Sequence, residues 1–156
     1  MQRSLVGSEM CIRDRSPSAL LFSAALFSTS AHAVIQEQQW HHWFGNISVM
    51  EFEINSQNSA GEVLTLTCTG GTLALAYSVP AEDYRVSSLT GLAEPGISIN
   101  GTNYSLDETA FTALKSAGNN GVIKITSSNT AISKKFSTKG LNEALGDFTW
   151  QDCIHH

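Results

Sequence analysis

Long apolar runs, familiar catalytic motifs and positive charge are all scarce in this 156-residue chain. The most apolar stretch, Ala19 to Phe27, is interrupted at Ser23 and closed off by Ser28, Thr29, Ser30 and His32. A membrane span needs about 20 apolar residues, so no stable anchor is expected there. No nucleophile elbow, phosphate loop, zincin helix or dinucleotide fingerprint occurs, and those reaction classes lose their sequence argument. From Val34 onward, six cationic side chains (Arg85, Lys115, Lys124, Lys134, Lys135 and Lys139) stand against twelve carboxylates, a net charge of −6. An acidic chain with one arginine there is a poor ligand for phosphate backbones or anionic membranes. Nucleic acid is not an expected partner.

The beginning of the chain carries processing information instead. Ser4 to Arg15 reads SLVGSEMCIRDR and resembles a translated sequencing adapter, so residues 1–15 are expected to be non-native. Residues 16–33 read as a truncated signal peptide: an apolar stretch, then Ala31-His32-Ala33 as a small-x-small cleavage site. The basic start that such a leader needs is missing, and Pro17 marks the joint. Cleavage is expected after Ala33, which leaves 34–156 as a single exported domain of 123 residues. The expected location is the bacterial periplasm or the medium. Cys11 falls in the adapter-like segment, leaving Cys68 and Cys153. Two cysteines in an exported chain read most simply as one disulfide. Closing so long a loop contributes roughly 4–5 kcal/mol in the chain-entropy account. A reactive thiol is the competing reading, but neither cysteine has basic neighbours in sequence to lower its pKa.

Periodicity then sets the fold class. Met50, Phe52 and Ile54 alternate with Glu51 and Glu53, the pattern of a half-buried strand. Leu64, Leu66 and Cys68 share one side of the next strand, Gly70-Gly71 turns the chain, and Leu73, Leu75, Tyr77 and Val79 line the return. Cys68 therefore points with the leucines into the core. A further strand is expected around Tyr84 to Leu89. Asn100-Gly101 between alternating apolar residues predicts a two-residue type I′ hairpin. Ser105-Leu-Asp-Glu108 reads as a capping box for a helix over about 106–117, with Ala110, Phe111, Leu114 and Ala117 at helical spacing. Ile123 and Ile125 face inward on a following strand, and Ile132 and Phe136 mark another. The period of that last strand places Lys134 on its apolar face, a conflict that a bulge, a strand end or a snorkelling stem would resolve. A second short helix is predicted over about 138–145, stopped by Gly146. The whole predicts an α+β fold, mainly antiparallel β: a small sandwich or barrel-like sheet with two short helices.

Three groups of residues invite a chemical reading. Trp40-His41-His42-Trp43 and His155-His156 hold four of the five histidines, but adjacent histidines on an extended segment point apart. Converging zinc ligands are therefore not expected, and that segment reads as a flexible aromatic entry strand. Glu51 and Glu53 share a strand face at roughly 7 Å, a spacing compatible with paired-carboxylate chemistry but equally that of a solvated face. Lys124, Lys134, Lys135 and Lys139 form the one basic concentration, on two consecutive strands and the following helix. Such a patch can steer an acidic partner or merely protect an edge. No catalytic residue and no cofactor is expected.

Two resemblances follow from these residues. Leu64-Thr-Leu-Thr-Cys68, the stretch from Ile97 through Phe111, Leu114, Ile123 and Phe136, and Gly140-Leu-Asn-Glu-Ala-Leu145 before Cys153 form one pattern. It resembles the periplasmic invasion-associated locus B-like domains and the accessory domain found with type VI secretion clusters. The favoured expectation is an exported, non-enzymatic binding or accessory domain whose partner is an envelope protein or secretion component. Cys68-Thr-Gly-Gly-Thr-Leu-Ala-Leu-Ala-Tyr77, Gly101-Thr-Asn-Tyr104 and Thr138-Lys-Gly140 are similar to segments of periplasmic C-type lysozyme inhibitors. This second likeness implies an inhibitory role for the Gly101 loop and Lys139. It departs from that family in having Asn100 where the loop serine stands, and a helix plus strand between Tyr104 and Lys139. A small envelope enzyme ranks third.

Overall fold

Strict alternation builds the first half of the chain into a sheet. The computed structural model describes residues 37–91 and 94–154; the adapter-like segment, the expected leader and cleavage site, and His155-His156 lie outside the described residues. Gln38–Trp40 (β1), Trp43–Ile47 (β2), Phe52–Gln57 (β3), Val63–Thr69 (β4), Thr72–Val79 (β5) and Tyr84–Ser87 (β6) pair in sequence order as a six-stranded antiparallel meander. Its register aligns side chains in rows across one face: Ile54, Leu66 and Leu75; Phe52, Cys68 and Leu73; Trp43, Ser56, Leu64 and Tyr77. Every member of these rows is at most 2% exposed. Glu53, Asn55, Thr65 and Thr67 occupy the opposite face and meet solvent wholly or in part. A sheet with one packed and one wetted face demands this period of two. Each large apolar side chain so buried contributes about 1.5–3 kcal/mol relative to exposure.

The second sheet is built from Pro95–Ile99 (β7), Thr102–Tyr104 (β8), Val122–Ser127 (β9), Thr130–Ala131 (β10) and Phe136–Ser137 (β11). Its order is β10-β9-β7-β8, with β11 also on β9. Asn100 and Gly101 adopt φ of 51° and 88°, the double positive φ that the predicted type I′ turn requires. Ile97, Ile99, Ile123, Ile125 and Phe136 join the same buried cluster as the meander. Phe136 meets Tyr77 edge to face, ring centroids 6.4 Å apart, which brings the two sheets together. The fold is α+β, mainly antiparallel β in two sheets, and neither closes into a barrel.

Among the described residues three short α-helices complete the core rather than the expected two: Glu108–Ser116 (α1), Leu141–Leu145 (α2) and Trp150–Ile154 (α3). The first begins later than the capping-box reading placed it. Asp107, not Ser105, is its N-cap, accepting from Thr109 N at 2.9 Å and Ala110 N at 3.3 Å. That hydrogen-bonding, led by the Thr109 hydroxyl, also holds the Asp107 carboxyl below its ordinary pKa. Phe111 lies among Phe52, Phe148 and Trp150, with centroids 6.4, 6.2 and 5.8 Å away. The second helix starts three residues later than predicted, after Gly140 in a left-handed conformation at φ 92°. A side chain there would run into the Trp40 carbonyl, so the β1–β2 turn and the start of α2 are fitted to one another. The unforeseen third helix is little more than one turn, too short to show a period. It carries Cys153, whose Cα lies 5.6 Å from that of Cys68 in a disulfide spanning 85 residues. Both cysteines are fully buried. The Cys153 carbonyl accepts from Gly71 N at 3.0 Å, so the link fastens α3 beside the β4–β5 turn. Among the described residues, no helix is long and apolar enough to cross a membrane.

Candidate partner-binding edge

The conflict at Lys134 is resolved by an interruption of the outer strand. Ala131 pairs with Thr126 and Phe136 with Ile123, so five steps along the outer strand match three along β9. Two residues are therefore extra, and the backbone leaves the ladder between Ile132 and Lys135. Four polar groups hold this bulge. Ile132 N donates to Ile125 O at 2.8 Å, and Ile125 N donates to the Ser133 hydroxyl at 2.8 Å. The Tyr77 hydroxyl reaches Ile132 O at 3.4 Å. From the other sheet, Glu62 Oε2 accepts from Lys134 N at 2.8 Å.

Glu62 is the unexpected member, a carboxylate only 7% exposed in the β3–β4 turn. Asn58 sets it in place. Its Oδ1 accepts from Ala60 N at 3.0 Å and Glu62 N at 3.1 Å, while its Nδ2 donates to Glu62 Oε2 at 2.7 Å. A buried carboxylate without partners costs several kcal/mol, whereas one accepting two N–H groups is tolerated. Burial pushes the Tyr77 hydroxyl up to about 12, and the adjacent Glu62 carboxylate adds to the effect. Tyr77 thus stays a neutral donor at the bulge. Sequence reading missed Glu62, Asn58 and Ser133. The one signal of them was the misplaced period at Lys134.

This frame distributes the four lysines unevenly. Lys134 and Lys135 lie in the bulge itself, not on a strand, and both are exposed. Continuing the β11 register by one residue sets Lys135 opposite Lys124, which faces outward from β9. Lys139 lies in the turn before α2 rather than on the helix, and its carbonyl accepts from His42 N at 3.4 Å. It therefore belongs to the β1–β2 turn end. None of the four pairs with a described carboxylate. A small cluster of uncompensated positive charge stands on an otherwise acidic chain.

The other candidates separate from one another. The Trp40–Trp43 segment is no flexible entry strand: it is a tight hairpin, with Trp43 fully buried and its Nε1 donating to Ser137 O at 3.0 Å. His41 and His42 sit exposed in its turn, and His41 Nε2 lies 3.6 Å from a carboxylate oxygen of Glu143. No group of three or more potential metal ligands converges among the described residues. Glu51 and Glu53 are both exposed, and Glu51 accepts from the Thr69 hydroxyl at 3.2 Å. The Asn100-Gly101 turn and the Thr138–Gly140 turn, far apart in sequence, converge on Gly121. A side chain placed there would meet both Thr138 Oγ1 and Asn100 Oδ1 within 3 Å. No family model matches this chain, and neither a curated protein nor a solved structure matches it either.

Proposed function

We propose that this is an exported, non-enzymatic binding or accessory domain of a bacterial envelope, contacting an acidic partner through the Lys124–Lys134–Lys135 edge. The observation that carries the reading is the built bulge. A buried carboxylate, an asparagine, a serine and a tyrosine all hold a segment whose outward side chains are two unpaired lysines. Edge protection alone needs a lysine but not a cross-sheet frame behind it. Rim charges of this kind act chiefly on association rate and salt dependence. The paired cysteines and the leader-like start support an oxidising, extracytoplasmic location. The test is cross-linking in intact envelopes with the Lys134→Glu/Lys135→Glu variant beside the parent. A reproducible partner that the variant loses supports the proposal; no recurrent partner, or equal capture by both proteins, removes it.

One observation favours a second reading, inhibition of a C-type lysozyme. Two of the three segments behind that likeness, Gly101 to Tyr104 and Thr138 to Gly140, come near each other: Asn100, just before the first, and Thr138, in the second, both flank Gly121. Lysozyme turnover measured with purified protein decides it. Inhibition that weakens in Lys139→Ala supports it, and no inhibition at micromolar protein ends it.

A further inference from the structure

At the opposite end of the second sheet, the strand ends of β7 and β9 and the segment after β8 enclose an open cleft of about 710 Å³. That volume is within the range of small-molecule sites. Nine of its twelve lining residues carry a hydroxyl, amide or carboxylate, and Glu94 is the one charged group among them. Hydroxyls and amides both donate and accept, and a carboxylate accepts from two neighbouring hydroxyls. No cation is among its described lining residues to attract an anion.

Two local features give the cleft its shape. Gly96 forms part of the floor, paired across the ladder with Thr126, which is 4% exposed. Its backbone needs no left-handed φ, yet a Cβ there would lie 2.8 Å from Thr126 Oγ1. The glycine thus lets the Thr126 side chain lie close against the β7 backbone at the cleft floor. On the lip, Ser128 takes φ of 48°. The other described non-glycine residues with positive φ are His41, Asp83, Asn100 and Asn129, types that tolerate this region. With Asn129 at φ 62°, Ser128 forms the two-residue turn between the paired Ser127 and Thr130, where serine carries a conformational cost that glycine would remove.

From this geometry we infer that the cleft binds a neutral, hydroxyl-rich ligand, a short stretch of uncharged oligosaccharide. The inference does not depend on the lysine edge. The test is amide-shift titration of the full, disulfide-oxidised protein with maltotriose and the N-acetylglucosamine trimer, and with trigalacturonate as an anionic control. A neutral sugar should give saturable shifts confined to Gly96 and Thr126 to Asn129, and the anion none. Ser128→Gly should raise the melting temperature while weakening binding about fivefold, the loss of one hydrogen bond. Asn103→Ala should weaken it similarly with the melting temperature unchanged. The inference is overturned if no neutral probe saturates at about 10 mM, a concentration that detects even millimolar affinity. Preference for the anion, or binding indifferent to both substitutions, overturns it equally.

Discussion

The two sheets reach the same end, a buried aliphatic face, by different means. In the meander each strand pairs with its sequence neighbour, and each row of core residues is already present in the alternation of β3, β4 and β5. In the second sheet β7 and β9 are separated by a hairpin and a helix, and the outer strand is broken in two. What holds that break is a carboxylate 72 residues away in the chain. Local hydrophobic pattern is sufficient for the first arrangement. The second depends on single polar contacts between distant segments, so it has points at which it can fail alone.

The largest expected effect erases the contrast by failing both sheets together. Replacing Cys68 and Cys153 with serine removes the link that fastens α3 to β4. The cost is roughly 4–5 kcal/mol for a loop of this length, a large part of a domain's net stability. Thermal unfolding followed by circular dichroism should show one transition at a much lower temperature, and reductant should reproduce it in the parent. A parent insensitive to reductant under unfolding conditions refutes the structural role given to this link.

Next in size is a substitution that should separate the sheets. Glu62→Leu removes the acceptor of Lys134 N and of Asn58 Nδ2, and leaving these partly buried donors unmet costs about 1–2 kcal/mol. Hydrogen exchange should accelerate at Ile125, Ile132 and Lys134 while the β4 and β5 amides keep their protection. Uniform loss of protection across both sheets would mean that the bulge is not an independent point of failure.

A smaller effect, about 1 kcal/mol, is expected from Tyr77→Phe, which removes the hydroxyl bond to Ile132 O and keeps the ring against Phe136. Its distinctive sign lies at high pH. Because folding raises the Tyr77 pKa from 10.0 to about 12, the folded state binds more protons than the unfolded chain between those values. Stability is fully present below about pH 10 and falls as pH rises toward 12. The phenylalanine variant should lose that alkaline decline. Parallel urea midpoints for the two proteins from pH 9 to 12 would contradict the assignment.

How much of this was legible in sequence follows the same division. Phe52 to Val79 was legible in its strands, its turn at Gly70-Gly71 and the inward Cys68 through alternation alone, because every neighbour in the sheet is a neighbour in the chain. Met50, expected on the same face as Phe52, lies exposed in the turn before β3. Asn100-Gly101 was legible because its backbone chemistry is local. Lys134 was legible only as a contradiction: period placed it inward, and the resolving partner, Glu62, lies in the β3–β4 turn, 72 residues away. The N-cap moved from Ser105 to Asp107 because both types cap equally well and tertiary packing chose between them. Trp150–Ile154 was missed because one turn carries no period. Of the candidate site, residue types were visible, but not that Lys124 faces Lys135 while Lys139 belongs to the β1–β2 turn.

The smallest effect has the opposite sign and probes the meander's one polar exception. Ser56 stands in the row with Trp43, Leu64 and Tyr77, 1% exposed, and its hydroxyl has no hydrogen-bond partner among the described residues. If local hydrophobic pattern is sufficient for this sheet, that hydroxyl contributes nothing to specification and carries an uncompensated desolvation cost. Ser56→Ala removes one oxygen and leaves little void, so it should stabilise the protein by up to about 1 kcal/mol. The urea midpoint should rise with the slope unchanged, because the same surface is exposed on unfolding. A fall in midpoint would give Ser56 a partner in solution, and the meander would then rest, like the second sheet, on a specific polar contact.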